Sequence, residues 1–85
     1  MKYLKSDRTR TEDRSGHVSI NRKPDEEVDE TWVQNYVDAI DFFESIGGSE
    51  TVRRTRGRIF ATSVSPDGLT TREVIFTPIK EGPSL

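Results

Sequence analysis

Residues 28–46 read VDETWVQNYVDAIDFFESI, with apolar side chains at Val28, Trp32, Val33, Tyr36, Val37, Ile40, Phe43 and Ile46. Steps of three and four along a chain place side chains on one face of a helix, whereas a strand would alternate. Asp29, Glu30, Gln34, Asp38, Asp41 and Ser45 fall on the other side. The spacing therefore predicts one long amphipathic helix. Gly47-Gly48 follows the last apolar position, where a glycine can take the left-handed turn that stops a helix. At the other end, Pro24 suits a first turn, and both Asp25 and Asp29 can cap it.

Downstream lie two runs rich in β-branched and aromatic residues, Thr51–Ser65 and Leu69–Ile79, separated by Pro66-Asp67-Gly68. That triplet fits a three-residue hairpin loop, with Gly68 in the left-handed position. Ser65 opposite Leu69 would pair Val64 with Thr70, Phe60 with Val74 and Ile59 with Ile75. On that register Phe60, Val74 and Phe76 share one face of the ribbon, and Ile59 and Ile75 share the other. One helix covers only one face, so Ile59 and Ile75 are expected contacts with a second copy or a partner. Gly57 reads as a bulge, and Pro78 should end the second strand.

Upstream, His17–Asn21 alternates like a short strand. Residues 1–15 carry Tyr3 and Leu4 as their only sizeable apolar groups and read as a mobile charged tail, with a short edge strand at Tyr3-Leu4 as the alternative. The fold expected is thus α+β, in the order βαββ: a tail over 1–15, one small domain over 16–80, and a frayed end over 81–85. Leu, Ile, Val and Phe make up 20 of 85 residues, enough for one small core and no more.

The charge is patterned. Residues 1–23 carry seven basic and three acidic groups, residues 24–50 nine acidic and no basic ones, and residues 51–85 six basic and three acidic ones. Arg53, Arg54, Arg56 and Arg58 form a cluster suited to phosphate or to an acidic protein, or to pairing with the chain's own acidic helix. In an unbroken strand, Arg54, Arg56 and Arg58 would project together. Asp38, Asp41 and Glu44 form an acidic helix face that imitates nucleic-acid phosphates or is simply solvated.

The chain has no cysteine and a single histidine, His17, which reads as a surface residue. No nucleophile, ligand loop or phosphate loop stands beside it, so neither a catalytic role nor a cofactor, metal or small-molecule substrate is expected. Trp32 and Tyr36 read as core, with Trp32 as an interface anchor in the alternative. Neither a membrane span nor a signal segment is visible, and a cytoplasmic protein is expected. These features predict a small non-catalytic protein–protein interaction module, accessory or inhibitory, acting as a homodimer or on a larger protein. The alternative is a nucleic-acid-binding regulatory protein using residues 53–58.

Overall fold

The computed structural model describes the backbone of residues 1–45 and 49–80, and the side chains of residues 1–40 and 49–80. Gly47-Gly48, Ile46 and residues 81–85 lie outside the described residues, as do the side chains of Asp41, Phe43 and Glu44. Six strands and one helix follow in the order β1 (Lys2–Glu12), β2 (Val18–Arg22), β3 (Glu26–Asp29), α1 (Glu30–Ser45), β4 (Glu50–Thr55), β5 (Arg58–Val64) and β6 (Thr70–Pro78).

The strands form one antiparallel sheet, ordered β2-β1-β6-β5-β4, with β3 continuing the β2 lane along the other half of β1. The expected βαββ fold is therefore wrong. The molecule is mostly antiparallel sheet, with a single helix laid across one face. The largest correction is at the amino terminus. Residues expected to be a mobile tail form β1, the longest strand, bonded on both edges.

Composition misleads there because β1 contributes few apolar groups of its own. Tyr3, Lys5 and Asp7 point toward the helix. Tyr3 is buried, the Lys5 ammonium sits over the Trp32 ring at 4.8 Å and pairs with Glu26 at 3.0 Å, and Asp7 is neutralised by Arg72. Polar side chains with partners can line a covered face; unpaired ones cannot.

Asp29, and not Asp25, caps the helix: its Oδ1 accepts the Trp32 N–H at 2.9 Å. Pro24 lies in the short link between β2 and β3, and Val28 is buried as a strand residue opposite Tyr3. Val33, Val37 and Ile40 of α1 pack on Ala61, Val74 and Phe76 of the sheet, joined by Tyr3 and Val28, with Tyr36, Val52 and Ile59 at the margin. Val37, Val74 and Phe76 are almost wholly enclosed, each burial worth roughly 1.5–3 kcal/mol. Trp32 stacks on Tyr36 with centroids 5.6 Å apart and leans on Phe76 at 5.9 Å, leaving 40% of its surface exposed.

Two turns correct the rest. The run Thr51–Ser65 is two strands, folded back at Arg56-Gly57, where both residues have positive φ (51° and 79°) and Thr55 pairs with Arg58. That is a two-residue hairpin turn of the kind whose twist matches the strands, not a bulge. The second hairpin closes with Ser65 N–H donating to the Thr70 carbonyl at 2.9 Å, so Leu69 belongs to a four-residue loop. Asp67 Oδ1 accepts from Ser65 Oγ at 2.6 Å and from Leu69 N at 2.9 Å. The pairs are then Ile59 with Phe76, Phe60 with Ile75 and Ala61 with Val74, one residue away from the expected register. A single-residue slip exchanges the faces of every side chain on a strand. Ile59 therefore joins Val74 and Phe76 under the helix, while Phe60 and Ile75 lie together on the opposite face.

Candidate interaction surface

The molecule measures 54 × 29 × 19 Å. Its thin dimension is that of one helix layer on one sheet layer, so the second face of the sheet is bare. Side chains directly paired across antiparallel strands lie on the same face, which lets the ladder identify this open face row by row. One row runs Ile20, Arg10, Thr71, Val64; the next Arg22, Arg8, Glu73, Thr62, Thr51; the next Ser6, Ile75, Phe60, Arg53. Leu4 follows with Glu27 and Thr77 on either side. Apolar groups are prominent: Ile20 is 61% exposed, Leu4 40% and Val64 38%.

The four arginines of the cluster do not act together. Arg53 and Arg58 fall on the open face, Arg54 opposite Ile59 falls on the helix side, and Arg56 sits in the turn. The expected row of Arg54, Arg56 and Arg58 is broken by that turn. The Arg53 guanidinium lies over the Phe60 ring at 5.5 Å. Among the described residues none of the four forms an ion pair with a carboxylate, so pairing with the acidic helix is not seen there. Sequence reasoning missed Arg8 and Arg10, because they lie in the stretch taken for a tail, and Arg22, because it falls just past the end of the short strand expected at His17–Asn21. The signal available was the alternation Arg8-Thr9-Arg10-Thr11, a strand pattern written in polar residues.

Asp38 is exposed on α1, on the far side of the molecule from the open face, and accepts Gln34 Nε2 at 2.8 Å. The Asp41 and Glu44 side chains are outside the described residues. Ile59 and Ile75, expected to share an exposed face, are on opposite sides of the sheet. His17 is exposed in the β1–β2 turn, its backbone N–H donating to Asp13 Oδ1 at 2.9 Å.

A shallow basin of about 230 Å³ opens on the bare face, lined by Ser6, Arg8, Arg22, Glu73 and Ile75. Arg8 reaches Glu73 at 3.4 Å and Arg22 reaches Asp25 at 3.8 Å, each through one guanidinium nitrogen. On the helix side, the buried Asp7 carboxylate takes Arg72 Nε at 3.1 Å and Nη2 at 2.7 Å. These hydrogen bonds hold its pKa below the ordinary 3.8 despite burial, which works the other way. Burial raises the Tyr36 phenol above its ordinary 10.0.

No helix among the described residues is long and apolar enough to cross a membrane. Compared with protein families, curated proteins and solved structures, the chain matches none.

Proposed function

We propose that the protein is a non-catalytic interaction module of the cytoplasm that docks an acidic partner protein on the uncovered face of its sheet. The observation that supports this reading is the excess of arginine on that face: Arg8, Arg10, Arg22, Arg53 and Arg58 against Glu12, Glu27 and Glu73, interleaved with Leu4, Ile20, Phe60, Val64 and Ile75. Arginine and large apolar groups side by side are what concentrates binding energy at protein interfaces. A second copy fits less well. A symmetric dimer through this face would set arginines against arginines, although Phe60 and Ile75 keep apolar surface there.

The test is affinity capture from the native extract, with and without nuclease, using the wild type and two folded variants, Phe60→Asp/Ile75→Asp and Arg53→Gln/Arg58→Gln. An acidic protein should be retained after nuclease and lost with both variants. Retention by both variants overturns the proposal, and a sedimentation mass near twice 9.7 kDa points to a second copy instead.

One contact favours a second reading, a nucleic-acid-binding regulatory protein. Arg53 over Phe60, with Arg58 nearby on the same face, resembles a small stacking platform for a base. That reading requires binding to a single strand that weakens steeply between 50 and 200 mM salt.

A further inference from the structure

Arg8 and Arg22 are directly opposite one another on neighbouring strands and face the same side. Like charges in that position repel and weaken the strand pair. Among the described residues each has one long ion-pair contact, to Glu73 at 3.4 Å and to Asp25 at 3.8 Å, although a guanidinium offers five N–H groups. Both line the basin, together with Ser6, Glu73 and Ile75. Two cations stand side by side on a dented surface.

We infer that this basin is a binding site for a terminal phosphoryl group, that is, a phosphomonoester. Charge and donor count together select it. Two guanidinium forks and a hydroxyl exceed the acceptor sites of a carboxylate, and a carboxylate or a phosphodiester brings a single negative charge to two cations, whereas a phosphomonoester brings about −1.5 to −2 on three oxygens. Glu73 also lines the basin and opposes an anion. Arg8 contacts Glu73 at 3.4 Å and Arg22 contacts Asp25 at 3.8 Å, so the phosphoryl group has to compete with two carboxylates for the two guanidiniums. The inference deepens the reading of the open face as a docking surface, since a phosphorylated side chain on the partner would supply the group; a free small phosphomonoester has the same chemistry.

The experiment follows thermal stability of the full chain in rising inorganic phosphate, against sodium chloride at matched ionic strength. The melting temperature should rise saturably with phosphate beyond the chloride control. Without phosphate, Arg22→Gln should melt no lower than the wild type, because it removes a repulsion, yet its apparent affinity for phosphate should fall by about tenfold. Glu73→Gln should bind phosphate more tightly, and Arg54→Gln, on the helix side, should match the wild type. Equal responses to phosphate and chloride overturn the site, as does an unchanged phosphate response in Arg22→Gln.

Competition separates the sources. Displacement by O-phosphoserine and more strongly by a phosphoserine peptide assigns the group to a modified protein; equal displacement by the two assigns it to a free small phosphomonoester. An oligonucleotide lacking a terminal phosphate that outcompetes both overturns the assignment to a monoester. Because no partner is present, failure here leaves capture by the open face unaffected. Capture retained by both open-face variants, with phosphate binding intact in the wild type, would reject docking alone.

Discussion

Asp7 and Arg72, sixty-five positions apart, form a two-bond ion pair that fastens β1 to β6 at the middle of the sheet. Asp7 is the buried charged residue of the described core, and Lys23 stands 3.9 Å from the same carboxylate. Removing one member strands the other. Arg72→Met should destabilise the fold by about 3 kcal/mol, since the Asp7 charge would be left enclosed without its main partner. Asp7→Asn/Arg72→Met should recover part of that loss. Chemical denaturation of the four forms measures the coupling, and strictly additive effects would show that the pair contributes nothing jointly.

The same pair sets an acid limit. Arg72 lowers the folded-state pKa of Asp7 below its ordinary 3.8. A depressed carboxylate contributes stability that is complete above its unfolded value and is lost as pH falls through the folded one. Stability should therefore hold from neutral pH down to about 4, then decline. Asp13 and Asp67, lowered by hydrogen bonds from Ser15 and Ser65, act in the same direction, so the wild-type curve alone is not diagnostic. Asp7→Asn should be less stable at pH 7 and should show a shallower fall below pH 4; parallel curves would sever Asp7 from the acid response.

The register of the β5–β6 hairpin decides which substitutions harm folding and which harm binding. Phe76→Ala should cost about 3–5 kcal/mol, and Ile59→Asp about 2–4 kcal/mol, because both face the helix. Ile75→Asp, across the sheet, should cost about 1 kcal/mol or less. The reverse order for Ile59 and Ile75 in urea titrations would mean that the pairing lies one residue away.

That reversal also marks where the sequence could be read and where it could not. The helix is visible because Trp32, Val33, Tyr36, Val37 and Ile40 repeat with a helical period, and its core-facing residues Val33, Val37 and Ile40 follow from that; Val28, read as part of the same face, is a strand residue. The hairpin turn is visible in Pro66-Asp67-Gly68, but whether Leu69 belongs to loop or strand depends on the Ser65–Thr70 closure, which no local pattern announces. β1 is hidden because, beyond Tyr3, its inward side chains include a lysine and an aspartate, acceptable only once Trp32, Glu26 and Arg72 are brought to them from elsewhere in the chain. Hence Arg53 and Arg58 of the candidate surface could be found in advance, while Arg8 and Arg10 could not be separated from an unstructured basic tail, nor Arg22 from the link before Pro24. A fifteen-residue strand from Thr51 to Ser65 exceeds the usual length, and that was the cue for a turn at Gly57.

Capping at the helix start offers an independent check on the strand-to-helix switch at Asp29. Its carboxylate satisfies the Trp32 N–H, one of the unpaired donors of the first turn. Asp29→Ala should cost about 1 kcal/mol, whereas Asp25→Ala should cost less than half of that, having only the long contact with Arg22 to lose. Equal losses would place the cap elsewhere.

The β4–β5 turn carries strain that a single substitution should relieve. Arg56 has φ 51°, a left-handed conformation that disfavours side chains with a Cβ, and Gly57 follows at 79°. Asparagine tolerates that conformation, and Asn-Gly is the preferred pair for this turn. Arg56→Asn should therefore stabilise the protein by about 0.5–1 kcal/mol, read as a higher urea midpoint with unchanged slope. Gly57→Ala should do the opposite, and the cause is the backbone, since a Cβ there would meet Pro78 Cγ at an ordinary 3.5 Å. Because Arg56 sits in the turn and not on the open face, Arg56→Asn should leave partner capture unchanged while Arg53→Gln weakens it. Loss of capture in Arg56→Asn would mean that the hairpin tip is part of the recognition surface.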